Sequence, residues 1–274
     1  MLELRYVLGR FGDLLAGRVG VLLVVLVTGI VLARLAGAYV GVTARTAEIL
    51  LGYTVLAAGA AVGLRGWARL TAWAVLLGGA AASLSHPAYH VVVLAHLHNL
   101  VPLVFLWDWS RRLATPGRWA FRAVQVGWVL VVPAAILLGA VDRWVHPGSG
   151  VVTGLVGDGS AVVAASAWPG TPELAVRMLV GFAFLQTMHY VVWVWFMPRA
   201  APEVTAAFEA RWPALTSRRV WAIGLGLGVL LAALLLGDYG QGRTVYAALA
   251  SYHAYLEFPV LLALLARPSR WRLR

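Results

Sequence analysis

The 274 residues are 61% hydrophobic and 12% charged, whereas soluble domains carry about 25% charged residues. Such a chain cannot cover itself with polar surface in water, so a soluble fold is excluded and lipid is the expected solvent. Cysteine is absent, which excludes iron–sulfur clusters, thiolate-ligated haem and a cysteine nucleophile. The net charge of +11 indicates orientation against anionic lipid rather than binding to nucleic acid.

Eight apolar stretches, each of roughly 18 to 22 residues, are long enough to cross the hydrocarbon core as helices. Strands of a membrane barrel would instead alternate over about 10 residues. The sequence therefore predicts an all-α integral membrane protein. We expect one polytopic helical bundle over 1–274, with its longest outer loop at about 142–174. The predicted spans are about 19–38, 47–64, 67–84, 87–107, 120–141, 175–197, 219–237 and 245–266.

The arginines test this order of spans, because basic residues collect on the cytoplasmic side of a membrane. All 22 basic residues are arginine, and an N-terminus placed inside puts 17 of them in inner segments. This alternation requires an even number of spans, so both termini are expected in the cytoplasm. A composition rich in arginine, alanine and glycine is typical of a high-GC genome, and the expected location is a bacterial inner membrane.

Three of the predicted spans carry polar groups at depths where they are costly, and such groups indicate a functional site. Six of the seven histidines lie in or at the edge of these spans, whereas His146 lies in a loop. A random distribution would not produce this grouping. The polar residues concerned are His90, His96, His98 and Asn99 in the fourth span, His189 in the sixth, and His253 and Glu257 in the eighth.

Helical geometry narrows the residues that can act together. With a rise of about 1.5 Å per residue, the three spans can present imidazoles at comparable depths. His253 and Glu257 share one helix face, one turn apart. His96 and His98 lie about 200° apart around an ideal helix, so they are not expected to bind the same ion. Pro102 cannot donate to the carbonyl of His98, and a kink or widened turn is expected there.

Several imidazoles with one carboxylate and no thiolate suit iron, zinc or copper. We expect non-haem Fe(II), with zinc or haem as alternatives. The expected site residues are His98, His189 and His253 as metal ligands, His96 and His90 as reserve ligands, Glu257 as a ligand or orienting group, and Asn99 as a polar partner. This set favours a membrane oxygenase, desaturase or hydroxylase that acts on a lipidic substrate, and an electron donor is a candidate partner.

The last span contains a short motif, His253-Ala-Tyr-Leu-Glu257-Phe258. It is similar to a late His-x-x-x-acid-Phe segment of the Brp/Blh family of membrane carotene-cleaving dioxygenases. His189 resembles the preceding histidine motif of that family, and His96 or His98 an earlier one. The resemblance covers short segments of three spans, and it implies an all-helical membrane protein in which histidines from several spans hold iron.

Two other functions remain open from the sequence. A haem-binding electron carrier that exchanges with quinone would use two histidines on different helices as axial ligands. A transporter would use the histidines and Glu257 for proton or cation coupling, although we find no inverted repeat and no paired broken helices. The expected partners of the chain are membrane lipids and a lipophilic small-molecule substrate, and no nucleic-acid partner is expected.

Overall fold

The computed structural model describes residues 2–13, 17–145, 154 and 159–266. Helices account for most of these residues, and no strand occurs among them. Seven of the described helical segments are long and apolar enough to cross a membrane, which confirms an all-α chain of the multi-pass type. They are Gly17–Gly37, Val42–Gly63, Gly66–Ser85, Pro87–Arg112, Thr115–Leu137, Pro172–Ala200 and Ser217–Gly237.

The α-helices are numbered here in chain order. They are α1 (Leu2–Phe11), α2 (Gly17–Val40), α3 (Val42–Gly63), α4 (Gly66–Ser85), α5 (Pro87–Trp109), α6 (Thr115–Val126), α7 (Val132–Leu137), α8 (Ser160–Ser166), α9 (Ala175–Tyr190), α10 (Met197–Ala200), α11 (Pro202–Arg211), α12 (Ser217–Gly237) and α13 (Tyr239–Ala266). The chain divides into two compact units. The terminal unit comprises Met1–Pro87 and Trp193–Arg274, and the central unit comprises Ala88–Val192.

Helices α2, α3 and α13 pack against one another and form the apolar core of the terminal unit. Leu23, Val27 and Ile30 recur every three or four residues along α2, and all three are buried, so one face of this helix turns inward. Helix α4 packs on α3, and α12 packs on α13. Most other side chains of α4 and α12 are exposed and apolar, as expected for helices that face lipid.

The eighth predicted span corresponds to α13, which has 28 residues. This helix is long enough to cross a membrane, but it is not among the seven candidate spans found in the described residues. Polar residues such as Ser251, His253 and Glu257 lower its hydropathy.

Helix α1 lies in the charged stretch that precedes the first apolar run. It packs along α11 and also contacts α12 and α13. Two of its charged residues, Glu3 and Arg5, are buried together with Tyr6, Val7 and Phe11. This segment is therefore part of the packed terminal unit, although the sequence indicated only a charged flank.

Two π-helical segments interrupt otherwise regular helices. Gly127–Val131 precedes Pro133, and Val191–Phe196 precedes Pro198. A proline cannot donate a backbone hydrogen bond and clashes with the carbonyl four residues back, and a wider turn relieves that clash. Pro102 behaves differently, because α5 continues through it as an α-helix. The widened turn expected after His98 is therefore not present.

Candidate functional site

Two of the predicted ligands meet in the central unit. His98 lies on α5 and His189 on α9, and their ring centroids are 4.5 Å apart with the ring planes inclined by 54°. His189 is 1% exposed, and His98 is half-buried. Two imidazoles from sequence-distant helices are therefore in contact, as their expected depths allow.

The backbone next to His189 is irregular. The π-helical segment Val191–Phe196 starts two residues after it, and the amide of Val191 donates to the carbonyls of both Thr187 and Met188. The ring of His189 also contacts that of Tyr190 edge-on, with centroids 5.7 Å apart. Wide turns of this kind occur frequently at functional sites.

The reserve ligands on α5 have other surroundings. The Nδ1 atom of His96 lies 2.9 Å from the carbonyl oxygen of Val92, and its ring packs on Phe182 with centroids 5.5 Å apart. His90 lies eight residues before His98, which corresponds to about 12 Å along a helix. Among the histidines of this unit, His98 and His189 are therefore the better candidates to bind one metal ion.

Asn99 follows His98 on α5 and is completely buried. Neither its carbonyl oxygen nor its amide nitrogen has a hydrogen-bond partner within the part of the chain that the structure describes. A buried polar group without a partner costs about 1–3 kcal/mol. The predicted role of Asn99 as a polar partner of the site stays a prediction, and this unsatisfied carboxamide supports it.

The third predicted ligand, His253, meets carboxyl groups in the terminal unit. Its Nε2 atom lies 3.5 Å from Oε2 of Glu3 on α1. Glu257, one helical turn after His253, is completely buried, and its carboxyl group lies close to that of Glu3. The acid that the structure shows beside His253 is thus Glu3, which the sequence did not single out, and the pairing of His253 with Glu257 stays a prediction.

A second group of charged residues in the terminal unit links α2, α3 and α13. Arg34 donates two hydrogen bonds to Oε1 of Glu48, at 2.8 and 2.6 Å, and a third to the carbonyl of Ala247. The hydroxyl of Tyr255 also donates to Glu48, at 3.4 Å. This network joins three helices, and its charges largely neutralise each other, so its role is structural.

Polar contacts also fix α1 against α11. Arg5 donates to Glu209 at 2.9 Å and to the hydroxyl of Ser217. Ser217 in turn donates to Glu209 through its hydroxyl at 2.5 Å and its amide at 2.8 Å. These hydrogen bonds, chiefly those from Ser217 and then that from Arg5, hold the pKa of the Glu209 carboxyl below its usual range. The same contacts fix the position of Glu3, two residues before Arg5.

Comparisons of the chain with protein-family models, with curated proteins and with solved structures give no match. The resemblance to the Brp/Blh family stays a prediction that rests on the histidine motifs alone. The functional argument therefore depends on the chemistry of the two histidine-bearing groups.

Proposed function

We propose that this chain is a membrane metalloenzyme that binds non-haem iron through intramembrane histidines and oxidises a lipidic substrate. The observation that carries the proposal is the contact between the imidazoles of His98 and His189 in the central unit. Imidazoles at membrane depth are costly, and a shared metal ion would offset that cost. In the terminal unit, His253 is the proposed ligand, and Glu257 is a ligand or orienting group beside it.

The spacing of the two rings supports this type of site. Imidazoles that bind cis to an octahedral ion have ring centroids about 4.5 Å apart, given metal–nitrogen bonds of about 2.1 Å. The separation between His98 and His189 is 4.5 Å. Trans axial ligands of haem would have centroids about 6 Å apart, with a porphyrin between them. The ring spacing therefore favours a non-haem metal over bis-histidine haem at this pair.

The donor types support iron within that class. Imidazole and carboxylate ligands without thiolates suit non-haem iron, and zinc is the next candidate. Iron bound here would supply the binding and activation of oxygen. Leu185 and Val192, which are buried about one turn before and after His189, would help to exclude water, and the surrounding bilayer favours a lipophilic substrate. An external electron donor is the proposed partner.

We also propose that α13 is the eighth span, that both termini are cytoplasmic and that the membrane is a bacterial inner membrane. This topology keeps 17 of the 22 arginines in inner segments. A reporter enzyme that is active only outside the cytoplasm should be active when it is inserted in the expected outer loop of about 142–174, and inactive when it is fused to the C-terminus.

The proposal is tested by metal analysis and absorption spectroscopy of the detergent-purified full chain. Wild-type protein should contain iron near stoichiometry and show no Soret band. H98A and H189A should lose most of the metal while they remain monodisperse. H86A is the matched control, because His86 is an exposed histidine at the end of α4 and should not affect the metal content.

Each alternative predicts a different result. A Soret band that is lost in H98A would establish haem and overturn the non-haem proposal. Wild-type protein that binds neither iron nor zinc after reconstitution would mean that the two rings simply pack together. In that case, pH-dependent flux in proteoliposomes would favour the transporter, for which Glu257 is the candidate coupling residue.

A further inference from the structure

Helix α1 brings a carboxylate to the histidine of α13. Oε2 of Glu3 lies 3.5 Å from Nε2 of His253, and these side chains are 8% and 22% exposed, respectively. Hydrogen bonds between nitrogen and oxygen are usually about 2.7–3.2 Å long, so this contact is longer than most.

The separation also fits two ligands of one metal ion. Metal–oxygen and metal–nitrogen bonds of about 2.0–2.2 Å place neighbouring ligand atoms about 3.0 Å apart in octahedral geometry and about 3.4 Å apart in tetrahedral geometry. We infer that Glu3 is a metal ligand and that it binds, together with His253, a divalent cation of the iron or zinc type. This inference rests on the proposed function, and it adds a ligand from a helix outside the histidine-bearing spans.

The charge of the group supports a cation. Glu257 is completely buried and its carboxyl group contacts that of Glu3. Two carboxylates in contact and away from water repel each other, and either a shared proton or a cation relieves the repulsion. The imidazole of His253 adds a nitrogen donor that suits a transition metal.

The position of Glu3 does not depend on a metal. Helix α1 is held by the contacts of Arg5 with Glu209 and Ser217, and the ring of Tyr6 packs on Trp193 with centroids 5.5 Å apart. The scaffold therefore presents the carboxylate to His253 in advance, as effective metal sites require. A substitution that removes the ligand atom of Glu3 should therefore leave α1 in place.

The test is a cobalt(II) titration of the full chain in detergent, followed through the visible absorption bands that report coordination. E3Q keeps the size of the side chain and removes its charge, and we expect cobalt affinity to fall at least about tenfold with a changed visible spectrum. E3D shortens the reach of the carboxylate and should also weaken binding. E203Q is the matched control, since Glu203 is an exposed acid on α11, and it should bind cobalt like wild type.

The outcomes separate this inference from the proposed function. Wild-type affinity and an unchanged spectrum in E3Q, with binding lost in H253A, would overturn the assignment of Glu3 and leave the histidine site in place. Wild-type protein that binds no cobalt would remove both proposals. If E3Q does not fold, a folded E3D decides: weakened binding supports the ligand role, and wild-type binding overturns it.

Discussion

Replacement of Arg34 by methionine is expected to destabilise the terminal unit by about 3–5 kcal/mol, because it leaves a buried carboxylate without its cation. The side chains of Arg34 and Glu48 are only 19% and 8% exposed, and Nη2 of the arginine lies 2.6 Å from Oε1 of the glutamate. The hydroxyl of Tyr255 would remain as a donor to Glu48, but a neutral hydroxyl cannot balance the charge.

The stability of the double variant R34M/E48M tests the same reasoning more directly than that of R34M alone. It removes both charges, so the remaining cost is that of the hydroxyl of Tyr255, which loses its acceptor. The carbonyl of Ala247 still accepts a hydrogen bond from the hydroxyl of Ser251. One such neutral group costs about 1–3 kcal/mol, and the added apolar volume offsets part of this. The double variant should therefore be more stable than R34M alone.

Unfolding in detergent micelles, followed by circular dichroism, measures both effects. R45M is the matched control, because Arg45 lies on α3 in the same helical hairpin but is exposed, and its replacement should change stability by less than about 0.5 kcal/mol. An R34M variant as stable as R45M, or a double variant less stable than R34M, would refute the view that Arg34 is there to neutralise Glu48.

Two further predictions concern the terminal unit. Since folding lowers the pKa of Glu209, chiefly through Ser217, its stabilising contribution is present above the usual carboxyl range and lost as pH falls through the lowered pKa. E209Q should therefore lower the melting temperature at neutral pH but not in acid, and an equal effect at both would contradict this linkage. G52A should destabilise by about 1–3 kcal/mol, because its Cβ would lie 2.6 Å from the buried Tyr255 ring, whereas G78A, in open space, should be neutral in the same melting assay.

The sequence predicted the membrane-length helices well because hydropathy and length are local properties of the chain. Seven of the eight predicted spans correspond to helices that are apolar enough to cross a membrane. The differences lie at helix ends and at prolines. Pro133 and Pro198 follow π-helical turns, while Pro102 lies within a regular helix, and a rule based on the missing donor alone does not separate these cases.

The candidate site was predictable only in part, because local sequence patterns do not show which distant segments come into contact. Histidines at similar depth in two spans indicated that His98 and His189 could meet, and helical spacing paired His253 with an acid. No sequence pattern pointed to Glu3, since it precedes the first apolar run and its partner His253 lies 250 positions further along the chain. A sequence pattern did point to Glu48, because this acid and Arg34 lie in consecutive predicted spans.

The charged groups of the terminal unit fall into two kinds, and the distinction bears on function. Arg34 and Glu48 form an opposite-charge contact, so each stabilises the other and the pair joins helices without any further ion. Around His253, by contrast, Glu3 lies beside the imidazole and Glu257 lies close to Glu3, so negative charge is in excess unless a proton or a cation is bound. Structural pairing thus accounts for the first group, whereas the second has the composition of a ligand set.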